Sequence, residues 1–292
     1  MPRPATERAA VPEGVPERVP LPESLRQAAE EYASGHRAEV APRDAATVVL
    51  LRDPGPQVYL LRRHVRMAFA AGMAVFPGGI VDDRDRTASF EAGGWAGPSA
   101  EEWARRLGCD TATARGLVCA AVRETYEESG VLLAGPDAGT VVADTTAEDW
   151  EADREALVAK QTSLAEMLAR RRLVLRTDLV AAWAHWITPA FEPRRYDTRF
   201  FVAVLPAGQR TRDVSTESDA VTWLAAADAV EAAESGELEM LPPTVHTCAE
   251  VAALDRAGDA FAAAELRAIA PIEPRLVVEG DDVWLETGPG GR

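Results

Sequence analysis

The chain has 292 residues, 47% of them hydrophobic, and a formal net charge of −16. That apolar content is enough for a sizeable core and excludes wholesale disorder. The acidic balance argues against general nucleic-acid binding and against a polybasic membrane patch, so an anionic substrate would have to be held locally, by metal and a few arginines. Lys160 is the only lysine, which leaves Schiff-base and lysine-nucleophile chemistry almost without a candidate. Cys109, Cys119 and Cys248 are scattered, with no C-x-x-C or zinc spacing, and a cytoplasmic location is the expectation. No apolar run reaches the roughly 18 residues of a membrane span. The N-terminal stretch has no apolar h-region, and its Glu7, Glu13 and Glu17 speak against a transit peptide.

Residues 1–22, rich in Pro, Glu and Arg, read as a mobile tail, and 23–292 as a single domain. "ESLRQAAEEYASG" reads as a helix ending at Gly35. "AATVVLLRD" and "QVYLLRR" form a predicted hairpin across "DPGP", and "AVFPGGIVD" a strand broken by a Pro-Gly-Gly corner. Residues 86 to about 112 look inserted, with a helix whose capping box is Ser99 and Glu102. A helix of about five turns follows, closed by Gly130. Residues 147–172 are helical in pattern and would pack on their own domain or on a second subunit, which leaves a homodimer open. "LVAAWAHWITP" and "YDTRFFVAVLP" are the best central strands, "DAVTWL" is a further one, two helices follow, and "RLVVEGDDVWLE" is a terminal hairpin. Frequent hairpins among helices favour a mixed sheet covered by helices. No Walker loop, no G-x-G-x-x-G after a strand and no G-x-S-x-G occurs.

"RETYEESG" (123–130) places Glu124, Glu127 and Glu128 on one face of a helix. Like charges at these spacings cost roughly 0.2–0.5 kcal/mol per pair, and Arg123 alone does not neutralise three carboxylates. Either the face is solvated and the repulsion tolerated, or it seats a divalent cation, which takes carboxylate oxygens and shares its remaining ligands with substrate phosphates.

Joined to "FPGGIVDDRD" (76–85), this segment resembles the Nudix box: Gly, five residues, Glu, seven residues, then Arg-Glu-apolar-x-Glu-Glu-x-Gly-apolar. Gly79, Arg123, Glu124, Glu127, Glu128, Gly130 and Val131 match. Asp85 stands for the first Glu, Thr125 for an apolar residue, and 37 residues (86–122) replace seven. An interrupted box of this kind is similar to the branch related to the peroxisomal coenzyme-A diphosphatase, over most of residues 44–245.

The resemblance implies an α/β Nudix fold: an α/β/α sandwich with a mixed β-sheet, plus inserted and C-terminal helices. It implies hydrolysis of a diphosphate in a nucleoside-linked small molecule, with Mg²⁺ or Mn²⁺ as cofactor. Glu127 and Glu128 are then metal ligands, Glu124 a ligand or nearby base, and Arg123 an orienting group. Gly79 lets the backbone approach the metal, and Asp85 assists through a water or is a plain loop acid. Glu217 is the candidate for a distant general base, against the reading of an exposed loop acid. Arg63 and Arg195, among Arg62, Arg63, Arg66, Arg194 and Arg195, best match the branch as phosphate contacts; Phe76 joins them as a substrate contact. Trp183, Trp186 and Phe191 would stack on adenine or fill the core. The insertion is either a lid or a tolerated loop. Coenzyme A or an acyl-CoA, cleaved to 3′,5′-ADP and a phosphopantetheine, is the expected substrate. ADP-ribose, dinucleotides and nucleoside triphosphates are the rivals, and a non-catalytic nucleotide-binding regulator is the alternative of another class.

Overall fold

The apolar strand runs of the sequence assemble into one eight-stranded sheet. Six strands follow the order Ser218–Ala225, Gln57–Arg63, Arg43–Arg52, Tyr196–Val204, Ala181–Ile187 and Pro271–Ile272. The computed structural model describes residues 18–21, 23–66, 70–90, 93–215, 218–279 and 282–287. The sheet is mixed: Arg43–Arg52 runs parallel to Tyr196–Val204 and antiparallel to Gln57–Arg63. Alternation along the strands sends side chains to two cores. Ala46, Val48, Leu50, Phe201 and Ala203 pack on one face with Leu117, Val118 and Val122 of the helix Thr111–Ser129. Val49, Leu51, Phe200 and Val202 pack on the other with Ala229, Cys248 and Ala260 of the C-terminal helices. This is the expected sandwich.

The strand Arg43–Arg52 changes partner along its length, and that change positions the site. Leu51 and Arg52 pair with Val58 and Gln57, whereas Ala45, Ala46 and Thr47 pair with Ile80, Gly79 and Gly78. The glycine corner is therefore sewn into the sheet beside the central helix. That helix starts at Asp110, whose carboxylate accepts from the Thr113 N–H, and stops at Gly130, where φ is 73°. A residue with a Cβ is disfavoured in this left-handed conformation, so glycine ends the helix just past its acidic turn.

Several expectations need correction. Arg18–Pro20, inside the predicted tail, pairs with Asp282–Glu286, because the terminal hairpin offers it an edge. Residues 147–172 form two helices, Glu148–Val158 and Leu164–Arg171, each with its own start. The insertion packs its described residues on the body of the domain. Its helix Ala100–Leu107 packs on the central helix, with Trp103 edge-on to Phe201, and Trp95–Ala96 pairs with Val174–Arg176. None of its described residues between 86 and 110 lines the cleft.

Candidate active site at the glycine corner

The acidic turn of the central helix meets the Gly78–Gly79 backbone in the wall of a cleft of about 740 Å³. Glu128 Oε2 accepts the Gly78 N–H at 2.8 Å. A Cβ on Gly79 would stand 2.3 Å from Glu124 Oε1, so only glycine lets the strand pass this close to the carboxylate. Arg123 is the hub of the acids. Its Nη1 donates to Glu124 at 2.7 Å and to Glu127 at 3.2 Å, and its Nη2 to Asp85 at 2.9 Å and to the Ile80 carbonyl at 3.0 Å.

Asp85 has a role the sequence did not reveal. Its carboxylate accepts from Arg123 and from the Asp82 N–H, closing a capping box on the short helix Asp83–Arg86. It is 3% exposed and holds the arginine. Thr125 is buried and its hydroxyl donates to the Ala121 carbonyl, so the polar atom at the apolar position is satisfied within the helix. From behind, Arg154 donates to the Glu127 carbonyl and Tyr126 to the Trp150 carbonyl, fixing the acidic turn on the next helix.

Charge is not balanced here. Burial pushes Glu124 up to about 7; Arg123 opposes the shift and the Glu127 charge adds to it. Glu127 is also raised, by burial first, against the pull of Arg123. Among the described residues no three acidic, histidine or cysteine side chains already form a ligand set, since Glu124 and Glu127 turn to Arg123 and Glu128 to Gly78. The donor chemistry nevertheless fits a hard divalent cation. It consists of carboxylate oxygens in excess over cations, beside a glycine backbone whose missing Cβ leaves room for approach.

The other predicted residues divide. Arg63 and Phe76 line the cleft. Arg195 does not. It is 3% exposed, paired with Glu39 and Glu273 and bonded to the Thr188 and Val40 carbonyls, so its donors serve the fold rather than a phosphate. Arg62 pairs with Asp219. Trp183 and Phe191 are core, while Trp186 lines the cleft with Phe200, Tyr196 and Pro242. Glu217 lies outside the described residues; Ser215, close before it, lines the cleft. Arg43 and Lys160 also line it, and sequence reasoning passed over both as site residues.

A Nudix domain of the NUDT19 type matches residues 102–251. The chain belongs to the Nudix hydrolase family. Among Nudix relatives, it is 27% identical to a putative nudix hydrolase 7 of Caenorhabditis elegans over 70% of this chain and 58% of the other. It is 24% identical to the acyl-coenzyme A diphosphatase NUDT19 of Xenopus laevis over 64% and 57%, and 26% identical to that of Gallus gallus over 69% and 65%. The chain thus spans less than two thirds of the length of each. The crystal structure of a Nudix hydrolase from Alicyclobacillus acidocaldarius superposes with a TM-score of 0.63 at 28% identity, covering 77% of this chain and 97% of that one. Among the described residues no helix is long and apolar enough to cross a membrane.

Proposed function

We propose that this Nudix chain is a divalent-cation-dependent diphosphatase acting on coenzyme A or an acyl-CoA, releasing 3′,5′-ADP and a 4′-phosphopantetheine. One observation carries the reading: the acids of the central helix outnumber the cations that hold them, and they face a backbone stripped of Cβ atoms. Mg²⁺ or Mn²⁺, when bound, would neutralise the diphosphate oxygens and acidify water. Glu127 and Glu128 are the proposed ligands and Glu124 a ligand or nearby base. Arg123, itself pinned by Asp85, keeps Glu124 and Glu127 oriented while the seat is formed. The overall step adds water across one P–O–P linkage and leaves two phosphate monoesters.

The apolar wall of the cleft, with Phe76, Trp186, Phe200, Pro242 and Pro243, suits a substrate longer than a plain nucleotide. Arg63 is the proposed phosphate contact, and Glu217 stays the proposed general base. That the frog and chicken relatives are acyl-coenzyme A diphosphatases supports coenzyme A over its rivals. The test is turnover of coenzyme A, an acyl-CoA, ADP-ribose and a dinucleotide with Mg²⁺ or Mn²⁺. Coenzyme A or its thioester should lead; equal or faster cleavage of ADP-ribose would remove the coenzyme-A assignment. Retention of wild-type turnover by Glu217→Gln would remove the general-base assignment.

A further inference from the structure

The chain's only lysine stands where a lysine is conformationally out of place. Between the helices Glu148–Val158 and Leu164–Arg171, Lys160 adopts a φ of 56°, the left-handed region that glycine occupies without strain. The turn is fixed on both sides. The Lys160 N–H donates to the Leu157 carbonyl at 2.8 Å, and its own carbonyl accepts from Arg84 at 3.2 Å. Its side chain is 72% exposed, and Nζ lies 3.5 Å from Asp82 Oδ2, an open, solvated pair of little structural value. Nothing in the packing explains why glycine is not used.

The location does. Lys160 lines the same cleft as Glu124, Glu127 and Glu128. It also lines a small notch with Asp82, Asp85, Arg123, Glu127 and Leu157. The neighbouring cations are committed: Arg123 to three acids, Arg84 to Asp82 and the Lys160 carbonyl. An anionic ligand approaching this acidic wall meets the long, exposed ammonium of Lys160, with Arg43 and Arg63 lining the same cleft.

We infer that Lys160 is a substrate-binding residue whose ammonium leaves Asp82 to contact phosphoryl oxygens of a nucleoside-linked diphosphate in the cleft. This rests on the diphosphatase reading above. An ammonium–phosphate bond is charge-assisted on both sides and stronger than the loose carboxylate pair it replaces. The contact is electrostatic and reaches the bound substrate as well as the transition state, so it should appear in KM rather than kcat.

The test uses the full chain with Mg²⁺ and both coenzyme A and ADP-ribose as substrates. Lys160→Gly removes the ammonium and suits the backbone, so its melting temperature should not fall below wild type. Its KM should rise about tenfold, with kcat changed less than twofold, and Lys160→Arg should bring KM back to within about threefold. A Lys160→Gly enzyme whose KM stays within twofold of wild type on both substrates would overturn the inference while leaving the diphosphatase intact. A wild-type chain that hydrolyses no diphosphate with any divalent metal would instead remove the diphosphatase reading, and this inference with it.

Discussion

Two half-buried glutamates on opposite faces of the sheet have pKa values shifted in opposite directions. The Glu250 side chain, 6% exposed, accepts from Trp183 Nε1 at 2.8 Å and pairs with Arg267 and His246. Burial works to raise its pKa, but these partners outweigh it and hold the carboxyl below its ordinary value. Glu124 has a comparable enclosure and shares Arg123 with two other acids, so it is raised to about 7. The first glutamate is completed by its own chain. The second is not, and an incomplete charge balance is what a ligand site requires while a structural ion pair does not.

The sharpest way to break this contrast is Glu127→Gln. Metal-dependent hydrolysis should fall at least about 100-fold. The metal-free protein should melt no lower than wild type, because one of the crowded charges is gone. A variant that keeps wild-type turnover, or one that unfolds, would put Glu127 in the class of Glu250. Gly79→Ala comes next. Its Cβ would collide with the Glu124 carboxylate at 2.3 Å, and turnover should drop on the order of 10- to 100-fold. Circular dichroism should stay unchanged, and normal kinetics would mean that the close approach is incidental.

Glu250→Gln should do the reverse, sparing catalysis and lowering stability by about 2–3 kcal/mol near neutral pH. The sign of its pH dependence follows from the depressed folded pKa. The unfolded carboxyl titrates near 4.5, so the stabilisation is complete above that pH and is lost as pH falls through the folded value. The melting gap between wild type and variant should therefore shrink in acid; a gap independent of pH between 7 and 3 would contradict the charge balance described. The smallest effect belongs to Thr125→Val, which trades a satisfied hydroxyl for a methyl in the same volume. Its stability should stay within about 1 kcal/mol, and a larger loss would show that the bond to Ala121 matters more than its geometry suggests.

Much of this was legible in the sequence. The glutamate spacing placed three acids on one helix face, and Gly130 marked where that helix stops. The long apolar, aromatic-rich run of "YDTRFFVAVLP" marked an interior strand of the sheet. What could not be read depends on partners distant in sequence. Arg195 is taken out of the site by Glu39 and Glu273, which lie 156 and 78 residues away. Asp85 is bound to Arg123 across 38 residues, and no local pattern marks it as a brace. Lys160 could be counted but not located, since its position depends on a backbone torsion that helical periodicity does not encode. The small sheet of Trp95–Ala96, Val174–Arg176 and Ala134–Gly135 was missed because strands this short carry no period.

That small sheet ties the two excursions of the chain to one another. Trp95 of the insertion aligns with Leu175 at the end of the two-helix segment, and Leu175 also aligns with Ala134 just after the box. Neither excursion is an independent appendage. A deletion that trimmed the insertion back to the uninterrupted spacing would leave an exposed strand edge beside Val174–Arg176 and loosen the segment that carries Lys160. Shortening this scaffold, in the laboratory or in descent from a plainer ancestor, has to treat both additions as a single module.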